Sequence, residues 1–187
     1  MSHYVCPWWL GWFLINPLRR FAHNPDRIVG PHLKPGMLAV DFGCGMGHFS
    51  LPMARMVGPA GRVVCIDVQD KMLAGLRRRA ARSGLTDRLE LRRVSADDIG
   101  LSDLTGQVDF ILAMFVVHEV PDAARLFEDL AAALKPNGRL LLAEPVLHVR
   151  QKQFMDTVAK AERLGLTVID RPPVRRARAV LLGTAPT

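Results

Sequence analysis

Short apolar runs alternate along this chain with longer amphipathic stretches, and that alternation sets the expected fold. Residues 37–42 (MLAVDF) read as a buried strand ending in a carboxylate and a glycine cluster. Residues 48–57 have helical composition and stop at Gly58-Pro59. Residues 62–67 (RVVCID) read as a second buried strand. A helix over 70–83 carries Met72, Leu73 and Leu76 on one face, with Gly84 as its stop. Residues 89–95 and 108–114 (VDFILAM) give a third and a fourth strand. Asp122 caps a helix running to Leu134, closed by Lys135-Pro136-Asn137-Gly138. A fifth strand at 139–144 (RLLLAE), a helix at 149–164 and short strands at 167–170 and 179–183 complete the series.

Strands this apolar, alternating with helices, predict a parallel sheet covered on both faces. Ligands in such sheets sit beyond the carboxyl ends of the strands, near the switch in strand order. The loops that begin near residues 42, 67, 95, 114 and 144 are therefore the ones to inspect. With 187 residues, no internal repeat and no long linker, the expectation is a single domain over 1–187. Within it, 1–24 form an aromatic N-terminal helix or lid and 25–187 the core.

Composition narrows the class only a little. Hydrophobic residues make up 49% and charged residues 23%, which excludes a disordered or low-complexity chain. Basic residues outnumber acidic ones 25 to 18. That balance permits an anionic partner, yet the arginine runs at 77–82 and 171–178 lack the interleaved aromatic residues that single-strand binders use. Cys6, Cys44 and Cys65 offer neither a disulfide framework nor metal-ligand spacing, so no metal is expected. The apolar run at 5–15, with Trp8, Trp9 and Trp12, is too short for a membrane span, which needs about 20 residues. Its basic residues, Arg19 and Arg20, follow it, the reverse of a signal peptide. The expectation is a cytoplasmic protein whose N-terminal helix packs on the domain, covers a substrate site or touches an anionic membrane surface.

The chemistry starts at Asp41-Phe42-Gly43-Cys44-Gly45-Met46-Gly47. Glycines there let the backbone turn sharply and let a ligand approach closely. A dinucleotide fingerprint would need its third glycine at position 48, which is His, and no Gly-Lys-Ser/Thr follows as in a nucleoside-triphosphate loop. Asp67 ends the second strand, where a carboxylate can accept hydrogen bonds from both hydroxyls of a ribose. Asp41 lies in an apolar strand, where an unpaired carboxylate is costly, so it is expected beside a ligand amino group or a loop amide.

The D-x-G-x-G-x-G loop, with the acid on the next strand, resembles motif I of the class I S-adenosylmethionine-dependent methyltransferases. Val94-Ser95-Ala96-Asp97-Asp98, the stretch from Val108-Asp109-Phe110 to Val120-Pro121-Asp122, and Leu134 to Leu140 are similar to later motifs of that family. The resemblance covers about residues 25 to 183. It implies a three-layer Rossmann-like α/β sandwich whose seven-stranded, mostly parallel sheet has an antiparallel last strand beside the fifth. It implies S-adenosylmethionine as cofactor, held by Asp41, Gly43, Cys44, Gly45, Gly47, Asp67, Val68, Met72, Ser95, Ala96 and Ala113, with Asp97 or Asp98 as substitutes at the adenine.

His118 and Glu119 follow the fourth strand, where the cofactor's methyl group should emerge, and His148 lies on the neighbouring loop. These three are the catalytic candidates, set against packing roles. No Asn/Asp-Pro-Pro-Tyr/Phe and no Pro-Cys follow the fourth strand, which weighs against exocyclic-amine and cytosine-C5 methylation. With no inserted cap domain, a small-molecule acceptor is the leading expectation. The alternatives are RNA or protein methylation on the basic surface, lipid methylation at a membrane, and a non-catalytic cofactor-binding module.

Overall fold

The structure, a computed structural model, describes residues 19–95 and 98–184. Seven strands form one sheet: β1 (Leu38–Phe42), β2 (Arg62–Asp67), β3 (Leu89–Arg93), β4 (Val108–Met114), β5 (Leu134–Pro145), β6 (Leu166–Asp170) and β7 (Ala177–Thr184). Their spatial order is β3-β2-β1-β4-β5-β7-β6. Neighbours from β3 through β5 run parallel, and β7 is antiparallel to both β5 and β6. The antiparallel last strand beside the fifth is as the resemblance implies. Strand order reverses between β1 and β4, which opens a crevice at the carboxyl ends of those two strands.

Among the described residues, four helices of eight residues or more cover the sheet: α1 (Ser50–Val57), α2 (Asp70–Arg82), α3 (Ala123–Ala133) and α4 (Gln151–Arg163). Because strand side chains alternate, one face sends Ala39, Cys65 and Leu112 toward Met53, Ala54 and Leu76 of α1 and α2. The other sends Val40, Ile66 and Ile111 toward Leu126, Phe127, Phe154 and Val158 of α3 and α4. Each large side chain fully buried in these two layers contributes about 1.5–3 kcal/mol.

Several boundaries move for identifiable reasons. The turn expected over 135–138 lies inside β5, because Leu134 already pairs with Val108 before the register shifts. Asn137, with φ +64°, absorbs the kink. Asp109 sits in the matching bulge of β4, where Oδ2 accepts the Leu38 N–H at 2.9 Å and Oδ1 accepts from Lys135 Nζ at 2.7 Å. The last strand runs longer than its apolar stretch, since its ladder with β5 extends from Gly183 to Ala177. Asp122 caps α3 as expected, accepting from the amides of Ala124 and Arg125. No helix among the described residues is long and apolar enough to cross a membrane.

Candidate functional site

One cavity of about 480 Å³ opens at the carboxyl ends of β1, β2, β4 and β5. That is within the range of small-molecule sites. Asp41, Gly43, Cys44, Gly45, Asp67, Val68, Met72 and Ser95 line one half, and His118, Glu119 and His148 the other. The structure thus brings together most of the residues singled out in the sequence.

Three do not reach the cavity, one of them Asp98, whose exposed carboxylate accepts the Gly100 N–H at 2.7 Å instead. Ala113, next to last in β4, is fully buried and belongs to the core. Gly47 serves packing: a Cβ there would meet Leu76 Cδ1 at 2.3 Å, so this glycine lets α2 approach the loop. Ala96, Asp97, Cys6 and the tryptophans at 8, 9 and 12 lie outside the described residues.

The glycine loop is built on backbone amides. Gly43 and Cys44 both donate to Ile66 O, which seats the loop on β2. Arg79 of α2 reaches back to donate to Met46 O. Gly45 has φ +53°, and a Cβ there would meet nothing within 4 Å, so this stretch of backbone is open to a ligand. The Gly45 N–H donates to Asp67 Oδ2 and the Gln69 N–H to Asp67 Oδ1, each at 2.9 Å. A carboxylate has about four lone-pair sites, so these two amides aim the group and leave acceptors over. Burial raises the Asp67 pKa above its ordinary 3.8, opposed by the amides of Gln69, Gly45 and Val68. A surplus acceptor desolvated at a strand end suits a pair of ribose hydroxyls.

Asp41 is buried and accepts the Ser50 hydroxyl at 2.5 Å, which ties the end of β1 to the start of α1. Burial pushes the Cys44 thiol well up, and neighbouring Cys65 adds to it. Cys44 is therefore held as an unreactive thiol, and Cys65, fully buried in β2, packs in the core.

The opposite half is built from side chains. Phe115, directly after β4, has φ +63°, an uncommon conformation for an aromatic residue. Its amide donates to Ala143 O at 2.8 Å, so the chain turns tightly over the end of β5. The turn delivers His118 onto Glu144. The His118 amide donates to Glu144 Oε1 at 3.2 Å, and Nδ1 lies 2.5 Å from Oε2. Glu144 is 2% exposed. The hydrogen bond to Glu144 raises the His118 pKa above the ordinary 6.5; burial opposes this, and the charges of Glu144 and Glu119 add to it. Nε2 stands 4.0 Å from Glu119 Oε1, and the His148 ring centroid is 6.1 Å from that of His118.

Sequence reasoning missed Glu144 and the Phe115 turn. The signal for Glu144 was one acid in the apolar run 140–145, the same signal that marked Asp41. The described N-terminal segment also converges here. His23 packs edge-on against Phe115 at 5.0 Å, its Nε2 bonds Arg175 O at 3.0 Å, and its carbonyl oxygen lies 2.8 Å from His48 Nε2.

This geometry meets a family model described as a methyltransferase domain, which matches residues 39–138, just over half of the chain. The chain belongs to the class I S-adenosylmethionine-dependent methyltransferases. A demethylmenaquinone methyltransferase of Lactobacillus johnsonii is 29% identical over 112 residues, 60% of this chain and 45% of that protein. A ubiquinone/menaquinone biosynthesis C-methyltransferase of an Enterobacter species is 30% identical over 125 residues, 65% of this chain and 49% of that one. The chain thus spans about half the length of these curated relatives. A solved SAM-dependent methyltransferase from Aquifex aeolicus shares the fold, with TM-score 0.83 and 24% identity over 96% of this chain and 98% of that one. S-Adenosylmethionine is accordingly the cofactor of this family, and the Gly45–Asp67 half fits it: exposed backbone, surplus acceptors and an apolar flank at Val68 and Met72.

Proposed function

We propose that this chain transfers the methyl group of S-adenosylmethionine to a small-molecule acceptor seated between the loops after β4 and β5. The observation that carries the reading is the continuity of one cavity from the Asp67 carboxylate to His118, Glu119 and His148. In this reading the bound cofactor supplies a methyl group already activated on a sulfonium. The protein's task is positioning and exclusion of water. Asp67 accepts from the ribose, the loop at Gly43–Gly45 gives the backbone close approach, and Asp41 faces the amino-acid end. Val68, Met72 and Ser95 flank the adenine. His118, Glu119 and His148 form the acceptor wall, within which an acceptor proton is taken up.

The acceptor wall combines these acid–base groups with Phe115, Val116, Val120 and Pro145, which suits an apolar ring that carries a polar substituent. The quinone methyltransferases among the relatives support a quinone-like acceptor. The described chain from Arg19 onward is tied beside the cavity through His23, and deleting residues 1–20 is expected to leave cofactor affinity largely intact while lowering transfer.

Calorimetric titration with S-adenosylmethionine and transfer of labelled methyl to fractionated extract test the reading. Label in small metabolites supports it. Absence of cofactor binding by a folded wild type, or label confined to RNA or protein, overturns it.

A further inference from the structure

We propose that Glu144 is the positioning residue for His118, and that the pair takes the proton of a hydroxyl acceptor during methyl transfer. The proposal rests on the methyl-transfer reading above and adds to it the acceptor's chemical class.

The argument begins with burial. A carboxylate at the apolar end of β5 is costly to bury unless it is fully partnered. Glu144 spends both oxygens on one residue, one on the backbone N–H of His118 and one on its ring Nδ1. A tie that only closed the loop would need one of those bonds. Two fix the ring's position and also its tautomer: Nδ1 holds the proton toward Glu144, which leaves the lone pair at Nε2. The backbone turn at Phe115, in its uncommon conformation, is what puts residue 118 over β5.

Other charged groups face the same space from each element packed around it. Glu119 lies beside Nε2 on the same turn, His148 stands on the loop after β5, and Asp41 and Asp67 line the cavity from β1 and β2. The carboxylates stabilise the imidazolium that forms when Nε2 takes a proton. An acceptor without a removable proton, such as a thioether or tertiary amine, would gain nothing from this arrangement. A phenol or hydroquinone hydroxyl would.

The step balances. The acceptor O–H bond breaks and its proton moves to His118 Nε2. The freed electron pair forms the bond from acceptor oxygen, or from the ring carbon conjugated to it, to the methyl carbon. The carbon–sulfur bond breaks with its pair left on sulfur, and a ring proton displaced by carbon attack leaves to solvent. The imidazolium then returns its proton to water at the mouth.

Nitrogen-15 NMR of the imidazoles in the full chain, without ligand, reads the pair directly. The wild type should show neutral His118 protonated on Nδ1 and titrating above the ordinary 6.5. In Glu144→Gln the titration should fall. A wild type protonated on Nε2, or a titration unmoved in a folded variant, overturns the pair, and the wild-type tautomer decides alone if the variant does not fold. The acceptor class is read with 4-nitrophenol in the presence of S-adenosylhomocysteine. The wild type should bind it as the coloured phenolate at a pH where the free probe is mostly phenol, with at least tenfold less colour in Glu144→Gln. An unchanged spectrum with the wild type overturns the acceptor class. Failure of the cofactor reading shows separately, as absent heat with S-adenosylmethionine, while the unliganded titration still supports or overturns the pair.

Discussion

The two halves of the cavity are built by different means. On the β1–β2 side, backbone amides and glycine conformations do most of the shaping, and Asp67 is aimed by the amides of Gly45 and Gln69, one of them two residues away. On the β4–β5 side, a side-chain pair, His118 and Glu144, holds the wall together across a separation of 26 residues. The first half is a fixed cradle for one shape of ligand. The second can change with few substitutions, because its geometry rests on two side chains and one turn. One scaffold can therefore keep its cofactor while the acceptor changes.

Substitutions sharpen that contrast, beginning with the glycines. Gly47→Ala places a methyl group against Leu76 at a residue with φ +81°. It should destabilise the fold by about 2–4 kcal/mol, from overpacking plus left-handed strain, read as a lower urea midpoint. Gly45→Ala meets no neighbour, so it should cost about 1–2 kcal/mol of stability, for the left-handed conformation alone, and weaken cofactor binding. Equal stability losses at both positions would break the distinction between a packing glycine and a ligand glycine.

Next comes the cofactor half. Asp67→Ala should weaken S-adenosylmethionine about 100-fold by calorimetry, on the scale of lost charge-assisted hydrogen bonds. His118→Asn should do the reverse, keeping cofactor affinity within about threefold while lowering transfer by about 100-fold, the low end of general-base effects. A His118 variant that loses cofactor and transfer together would merge the halves.

A pH effect of smaller size follows from the same pair. The folded pKa of His118 is raised above its ordinary value, so the native state favours the protonated ring. Its stabilisation is fully present below about pH 6.5 and is lost as pH rises through the raised folded value. Urea midpoints of wild type and Glu144→Gln should therefore differ most on the acid side and converge upward. Divergence toward alkaline pH would contradict the pairing. The smallest effect is expected from His148→Ala, less than tenfold in transfer, since its ring is 6.1 Å from His118. A larger loss would move the proton acceptor to His148.

Local pattern determined much of this protein. Short apolar runs with glycine stops gave strands and helices because burial on both faces of a parallel sheet demands continuous apolar stretches, and β2 and β4 match their sequence boundaries. The Asp41–Gly47 loop and Asp67 were legible because backbone conformation and strand-end position are local properties. Tertiary structure alone decided three things. It separated Gly47, pressed by Leu76, from Gly45, open to a ligand, although both are glycines of one loop. It extended β5 back through Lys135-Pro136-Asn137-Gly138, because Leu134 pairs with Val108 on the far side of the register shift. It joined Glu144 to His118, since a side-chain pair between two loops depends on the register of β4 against β5 and on the turn at Phe115, which no local pattern encodes.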